Sequence, residues 1–471
     1  MKANTVLSNP KSERTLPPGP NGLPVVGVAP KVLKDAMGFF LRAFQQYGDV
    51  VYFPVGAKKF YMLSHPDHVQ YILQENNRNY HKASTYNKLK PLLGNGLVTS
   101  DGAYWLRQRR LIQPAFHRKR LAALASVMTD CATNMLDRWQ FAADKDQPLN
   151  VADEFMRVTL DVVSQTMFSM SAAGSADEIR RNLPIILERT NEGFWEVVDM
   201  AWLPTPRNRQ YQKALSKLDA VIYGIIKQRR QSKENFDDLL TMLLESADAE
   251  TGERMTDVQL RDEIITIYLA GHETIANALS WGWYLLAQHP EVVSKLRAEA
   301  DAVLQGRVPT ADDVVNLKYA RMVIDEVLRV YPSSWGIART PLEVDKISGY
   351  CIPPGVVVVL SPYITHRHPA FWDEPEKFDP ERFAPEHSAK RHPFAYFPFG
   401  GGPRLCIGNN FALMEATLIL AMIVQRYELL LVADQVIEPQ PVVTLRPRYG
   451  IQMLVRQRRT LDNHSNETGS G

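Results

Sequence analysis

The chain has 471 residues, of which 45% are hydrophobic and 23% are charged. This balance is typical of a globular protein with a large core and excludes extensive disorder. The 54 basic and 52 acidic residues leave a net charge of +2, which gives no global reason to bind nucleic acid. The three cysteines, Cys131, Cys351 and Cys406, lie far apart, which disfavours a disulfide framework or a cysteine-rich zinc site.

The N-terminal segment MKANTVLSNPKSERT lacks the apolar core of a signal peptide. No apolar run reaches the about 20 residues that a membrane-spanning helix needs. We therefore predict a cytoplasmic protein without a transmembrane anchor, with disordered segments at residues 1–14 and 459–471. The next segment, LPPGPNGLPVVG, is rich in Pro and Gly and predicts an irregular lead-in.

From Lys34 to about Val330, apolar residues recur at three- and four-residue spacing, which predicts a mostly helical chain. Short strand-like runs occur early, as DVVYFPV and KKFYMLS, and late, as GVVVVLSPYITH and PVVTLRPRYGIQMLV. These patterns predict a mainly α fold of the α+β class with small β-sheets.

The most informative predicted helix runs from about Thr256 to His289. Thr256 and Gln259 have the spacing of a capping box, and Pro290 provides the stop. Apolar residues occupy nearly every face, which indicates a helix buried in a large domain. Its centre contains the sequence Gly-His-Glu-Thr at residues 271–274. Buried polar groups there are either satisfied internally or lie beside a bound group.

Cys406 lies on a loop with three glycines, just before a run of good helix formers. Backbone N–H groups and the positive end of a helix dipole stabilise a thiolate, so we expect an anionic cysteine. A cysteine taken alone is more often an inert buried thiol. Four flanking residues, however, complete the pattern F-x-x-G-x-R-x-C-x-G: Phe399, Gly402, Arg404 and Gly408.

This pattern resembles the haem-binding loop of the cytochrome P-450 haem-thiolate monooxygenases. Other matching segments follow in the family's order over about residues 15–455. The resemblance implies a single helical domain at residues 15–458, with haem between the central helix and the Cys406 loop. Length alone would suggest about three domains. We set that estimate aside because Trp105, Glu273, Arg339 and Cys406 would all meet one cofactor.

Two further segments resemble structural motifs of the family. Glu326-x-x-Arg329 resembles its E-x-x-R helix, and residues 378–383, which contain Arg382, resemble its P-E-R-F segment. Taken alone, a pair at i, i+3 is usually an exposed pair of little energy. The resemblance implies instead a buried triad of Glu326, Arg329 and Arg382 that holds the haem loop.

Several residues resemble the family's haem contacts. Trp105 and Arg109 lie on one helical face at i, i+4 and would contact a propionate, although Trp105 could be core and Arg109 a solvated charge. Arg339 and Arg404 would reach propionates as well. Phe399 and Gly408 would shape the loop, with Cys406 as the axial ligand. We predict haem b, held non-covalently apart from the Fe–S bond, because Ala270 cannot form the covalent tether of some relatives.

Residues 270–274 resemble the oxygen-activating segment of the family, [A/G]-G-x-[D/E]-T-[T/S]. Ile275 departs from the pattern, but Glu273 and Thr274 remain as the predicted catalytic residues for proton delivery. The alternative is that Thr274 bonds back to the carbonyl of Ala270 and that Glu273 pairs with a buried arginine.

The resemblance also implies a redox partner, and we predict a separate ferredoxin or flavodoxin with its NAD(P)H reductase. Acidic partners of the family dock on the side of the propionate helix. A basic cluster occurs there, although charge runs are usually only solvated: Arg107, Arg110, His117, Arg118, Lys119 and Arg120.

The substrate is predicted to be lipophilic, either a fatty acid or a carotenoid or other terpenoid. The family's pocket-lining segments correspond here to residues 86–96, 193–204, 270–274, 333–338 and 442–445. The competing hypotheses are a haem-binding sensor without turnover and a peroxide-driven or isomerase relative. Glu273 and Thr274 argue against these alternatives, which often lack the acid and the alcohol.

Overall fold

The structure, a computed structural model, describes residues 16–169, 175–194, 203–232, 234, 236, 238–248 and 250–458. The tail predictions for residues 1–14 and 459–471 and most of the pocket segment 193–204 lie outside these ranges. The α-helices of the described part are α1 (Ala29–Lys34), α2 (Ala36–Tyr47), α3 (Pro66–Gln70), α4 (Lys90–Leu93), α5 (Gly102–Ile112), α6 (Arg118–Ala123), α7 (Ala125–Asp144), α8 (Val151–Phe168), α9 (Ser175–Phe194), α10 (Pro206–Gln231), α11 (Leu239–Glu245), α12 (Asp257–Leu286), α13 (Pro290–Leu304), α14 (Lys318–Val330), α15 (Pro362–Thr365), α16 (Pro385–Ser388) and α17 (Asn409–Arg426).

The strands of the described part are short and lie mainly near the two ends of the chain. They are β1 (Val50–Val55), β2 (Lys58–Leu63), β3 (Tyr80–Lys82), β4 (Pro148–Asn150), β5 (Ile337–Pro341), β6 (Asp345–Ile347), β7 (Tyr350–Ile352), β8 (Val357–Leu360), β9 (Tyr427–Leu431), β10 (Pro439–Pro441), β11 (Leu445–Pro447) and β12 (Gln452–Gln457). The largest sheet has the order β1-β2-β8-β5-β3, in which only the β2–β8 pair is parallel. The predicted mainly α fold with small sheets is confirmed.

The strand predictions are correct for both early runs and correct in part for the late ones. The two early runs are β1 and β2, and the last run contains β11 and β12. In GVVVVLSPYITH only β8 is a strand, because Pro362 lacks an N–H for a ladder and instead begins α15.

Helix α12 is the central element, and its predicted start is confirmed. Thr256 is the N-cap, and both hydrogen bonds of the capping box with Gln259 are formed. The helix ends at Leu286, three residues before the predicted end, because His289 is already extended ahead of Pro290 at the start of α13.

A single large core cluster runs through the helical part of the chain. It includes buried residues from Leu89 in the segment before α4 to Val455 in β12. The Pro-rich lead-in packs against β1, where the Tyr52 N–H donates to the carbonyl of Pro18 at 2.9 Å. Among the described residues, no helix combines the length and apolarity that crossing a bilayer requires.

Candidate active site

The loop before α17 is closely packed and depends on its glycines. Gly400 and Gly402 have φ values of +73° and +61°, a region that other residues rarely adopt. A Cβ atom on Gly401 would overlap the ring of Phe394, and one on Gly402 would overlap the carbonyl oxygen of Leu73. The glycines therefore let this loop run directly against its neighbours.

Cys406 lies at the end of this loop, and its N–H donates to the carbonyl of Phe399 at 3.0 Å. Its side chain retains accessible surface. Although the residue is exposed, the protein atoms around its sulfur partly desolvate the Cys406 thiol and raise its pKa above the ordinary value, while the Gly408 N–H and the Arg109 guanidinium lower it by less. In the protein alone these effects favour the neutral thiol, so the expected thiolate stays a prediction. A bound cation such as iron would favour the thiolate.

Helix α12 presents one open face within an otherwise buried stretch. Between Leu260 and Trp283, the residues that are not buried are Ala270, Gly271 and Thr274. Because Ala270 and Thr274 are four residues apart, they lie on the same face of the helix. The Thr274 hydroxyl donates to the Ala270 carbonyl at 2.7 Å, which is the bond that the alternative interpretation predicted. The open face thus offers small side chains and one hydroxyl group.

Glu273 points away from this open face and is 1% exposed. Its Oε1 accepts a hydrogen bond from the Thr444 hydroxyl at 2.8 Å, and its Oε2 has no hydrogen-bond partner among the described residues. Burial raises the pKa of Glu273, which Thr444, the Arg446 charge and Asn191 only partly offset. The buried arginine of the alternative interpretation is therefore not the hydrogen-bond partner. The Thr444 hydroxyl is the partner instead, and the sequence analysis did not indicate this contact.

Arg404 connects the Cys406 loop to α5. Its guanidinium carbon lies 4.2 Å from the centre of the Trp105 ring, and it forms an ion pair with Asp101, the N-cap of α5. Its Nη1 is buried and lacks a hydrogen-bond partner within the described residues. A buried guanidinium donor without an acceptor fits an anionic group placed beside it.

Two more cations lie next to Arg404. Lys82 on β3 is the register partner of Arg339 on β5, and Arg339 is 6% exposed. Burial, together with the charges of Arg404 and Arg339, lowers the pKa of Lys82 to about 6. The sequence analysis missed Lys82, because only the long-range pairing of β3 with β5 brings it here. Three basic side chains clustered beside Asp101 fit a ligand that carries more than one carboxylate, as haem does.

Arg109, the other predicted propionate contact, is half-buried on α5. Burial lowers its pKa, and its electrostatic partner in this structure is Cys406. It therefore lies near the thiol rather than within the Arg404 cluster. Its predicted contact with a propionate stays a prediction.

The structure brings together the predicted triad. Glu326 and Arg329 are fully buried, and the guanidinium donates to both carboxylate oxygens at 2.6 and 2.8 Å. Arg382 Nε lies 3.6 Å from Glu326 Oε1, an ion pair without a hydrogen bond. Arg329 also donates to three backbone carbonyls, those of His366, Pro375 and Lys377. The ion pair thus cross-links α14 to the segment that leads toward the Cys406 loop.

Comparison of this chain with known proteins agrees with the geometry of the site. The model of the family "Cytochrome P450" matches residues 17–455. The crystal structure of the cytochrome P450DA heme domain superposes with a TM-score of 0.86 at 30% identity, covering 94% of this chain and 98% of that one. The chain therefore belongs to the cytochrome P450 family. It is a haem-dependent monooxygenase that uses O₂ and a redox partner.

Its relatives include oxygenases of terpenoid metabolism. The chain is 38% identical to cyclooctatin synthase of Streptomyces melanosporofaciens, covering 90% of this chain and 92% of the relative. It is 33% identical to cyclooctat-9-en-7-ol 5-monooxygenase of the same organism, covering 89% and 91% of the two chains. Pentalenene oxygenase of Streptomyces avermitilis is 32% identical, with 90% and 94% covered.

Proposed function

We propose that this protein inserts one oxygen atom of O₂ into a terpenoid-like substrate. The observation that carries the proposal is the similarity, over about nine-tenths of the chain, to cyclooctatin synthase and to two relatives named after terpenoid substrates. The open face of α12, formed by Ala270, Gly271 and Thr274, supports it because it provides no charged group for a polar substrate.

The cofactor in this proposal is haem b, and Cys406 would hold its iron. Trp105, Arg109, Arg339 and Arg404 would contact the propionates, as the resemblance implies, and Lys82 joins them because it lies within the same cluster. A propionate near Lys82 would raise its pKa and restore its charge. Phe399 and Gly408 shape the loop around the ligand, and Ala270 leaves the haem without a covalent tether.

Haem supplies the electron transfer to O₂ and the cleavage of the O–O bond. The protein must deliver protons while it excludes bulk water, because one atom of O₂ leaves as water. Thr274 provides a hydroxyl on the open face of α12, and Glu273 provides a buried acid one residue earlier. We assign Thr274 to holding a water or substrate oxygen and Glu273 to supplying protons.

Thr274→Ala is expected to retain fold, haem and substrate affinity while most NADPH-derived electrons appear as hydrogen peroxide. Glu273→Gln is expected to slow O₂-dependent turnover by about 10²-fold, because the acid is removed. The measurement is product and peroxide formed per NADPH consumed, with a reconstituted redox partner. Wild-type coupling in the first variant together with undiminished turnover in the second would contradict the assignment and favour a sensor or a peroxide-driven enzyme.

A spectral titration of the haem protein tests the substrate class. Pentalenene and cyclooctat-9-en-7-ol are expected to shift the Soret band and to be hydroxylated, because bulky apolar ligands displace water from an apolar pocket. A straight-chain fatty acid of similar carbon number is the control. Binding and oxidation of the fatty acid alone would overturn the terpenoid proposal.

The proposed redox partner is an acidic ferredoxin or flavodoxin with an NAD(P)H reductase, in the cytoplasm. Of the predicted docking cluster, Arg110 pairs with Glu250 and Arg107 lies 3.7 Å from Glu253, so both are partly neutralised within the protein. The exposed positions His117 and Lys119 are more suitable.

Lys119→Glu is therefore expected to slow reduction by an acidic ferredoxin and to reduce the salt dependence of the rate. Lys213→Glu on α10 is a control for the change in net charge. Equal reduction rates for wild type and Lys119→Glu across the salt range would contradict docking at this surface.

A further inference from the structure

The Glu273 carboxyl group is held by a turn distant in sequence and not by Thr274. Thr444, between β10 and β11, donates from its hydroxyl to Glu273 Oε1 at 2.8 Å. The same hydroxyl accepts a hydrogen bond from Asn277 Nδ2 at 3.0 Å. All three side chains are buried, with exposures of 6% for Thr444 and 1% for Glu273 and Asn277. The Thr444 hydroxyl group therefore has one hydrogen-bond donor, Asn277, and one acceptor, Glu273.

The directions of these bonds determine where the acid keeps its proton. A hydroxyl group has one proton, and because Asn277 donates to the Thr444 oxygen, that proton is directed at Glu273 Oε1. In a neutral carboxyl group the carbonyl oxygen is the better acceptor, so a hydrogen bond accepted at Oε1 favours the proton on Oε2. Oε2 forms no hydrogen bond within the described residues, and the Asn191 amide, which also lowers the pKa of Glu273, does so less than the Thr444 hydroxyl.

The surroundings of Glu273 favour its neutral form. Burial raises its pKa, and the charged group that opposes this effect is Arg446 on β11. On α12 itself, the neighbouring His272 is buried and its pKa is lowered to about 4, so it adds no positive charge near neutral pH. Asn191 of α9 contributes only a neutral amide, which also lowers the pKa of Glu273.

The turn that contains Thr444 is also connected to the second member of the catalytic pair. The Leu445 N–H donates to the Ser333 carbonyl at 3.0 Å, and the Ser333 hydroxyl donates to the Thr274 carbonyl at 2.7 Å. On the other side, the Val443 N–H donates to Asn191 Oδ1 at 3.4 Å. Residues 442–445 were predicted to line the substrate pocket, and they contact both Glu273 and the backbone support of Thr274.

We propose that Thr444 is a positioning residue for proton delivery: its hydroxyl directs the Glu273 proton to Oε2 and links that acid to the pocket-lining turn. The inference rests on the proposed roles of Glu273 and Thr274. Thr444 touches neither of the reacting molecules in this scheme. It acts by holding one oxygen of the acid, so that the other oxygen is the one that exchanges protons.

The first test is the redox-induced infrared difference spectrum of the holoenzyme. The carboxylic C=O band of Glu273 is identified by its loss in Glu273→Gln. In Thr444→Val this band is expected to move to higher wavenumber, because the C=O group no longer accepts a hydrogen bond, whereas Thr444→Ser should restore the wild-type position. The absence of a Glu273 band, or an unmoved band in Thr444→Val, would overturn the proposal.

Thr159→Val is the matched control. Thr159 is a fully buried threonine whose hydroxyl lies 2.8 Å from the Phe155 carbonyl and 3.1 Å from the carbonyl of His272, the residue next to Glu273. Its loss therefore perturbs α12 at nearly the same place without touching the acid. The Glu273 band should stay unchanged in Thr159→Val, and an equal shift in this variant would also overturn the proposal.

The second test is turnover of the terpenoid that gives the largest Soret shift, with pentalenene as the first probe. Thr444→Val is expected to lower product formed per NADPH by about tenfold, less than loss of the acid itself, without changing the spectral dissociation constant. Thr444→Ser should recover most of the coupling. Unchanged coupling in Thr444→Val would contradict the positioning role. If neither terpenoid is oxidised while the infrared band still moves, the substrate proposal fails and the positioning of Glu273 stands.

Discussion

Cys406→Ala is expected to abolish monooxygenase turnover and the red-shifted Soret band of the reduced carbon monoxide complex. The thiolate is the axial ligand in the proposed site, and alanine cannot donate electron density to the iron. Glycine packing and the hydrogen bond from the Cys406 N–H to Phe399 should keep the loop folded, since neither involves the thiol. The measurements are the carbon monoxide difference spectrum and product formation.

The other two cysteines are matched controls for this prediction. Cys131 is buried in α7, where burial raises the pKa of its thiol to about 12, and Cys351 lies in the β6–β7 hairpin. Cys131→Ala and Cys351→Ala should leave the band unchanged. Haem content should be measured in all variants, because the proposed propionate contacts of Arg404, Arg339 and Lys82 would hold haem even without the Cys406 bond. A normal red-shifted band in Cys406→Ala would rule out the ligand assignment.

Features set by neighbours in sequence could be predicted from the sequence. The capping box of α12 and the pairing of Glu326 with Arg329 each depend on residues three positions apart. For such features, propensity and helical spacing determine the geometry. Their positions in the structure differ from the predicted ones by at most a few residues, as at the C-terminal end of α12.

Features that depend on tertiary pairing could not be predicted. Lys82 reaches the Arg404 cluster because β3 pairs with β5, more than 250 positions later in the chain. Thr444 reaches Glu273 across 171 positions. Neither residue belongs to a short motif, and a lone lysine or threonine is normally read as a surface residue.

Breaking the Glu326–Arg329 pair is expected to produce the largest loss of stability. Arg329→Met should lower the free energy of unfolding by about 3–5 kcal/mol, because it leaves the buried Glu326 carboxylate without its main partner. It also leaves the carbonyls of His366, Pro375 and Lys377 without their donor. Burial already raises the pKa of Glu326, so the carboxyl group should then protonate. The measurement is urea unfolding followed by circular dichroism, with haem content recorded alongside.

Glu178 and Arg181 on α9 provide the control. They have the same i, i+3 spacing and a hydrogen bond of 2.7 Å, but their side chains are 35% and 65% exposed. Arg181→Met should change stability by less than about 1 kcal/mol, because water screens and replaces an exposed pair. The double variant Glu326→Met/Arg329→Met should recover part of the loss, since no unpaired charge then stays buried. Equal destabilisation by Arg329→Met and Arg181→Met would show that burial of the charge does not make the Glu326–Arg329 pair important. The proposed role of this pair in holding the haem loop would then have to be rejected.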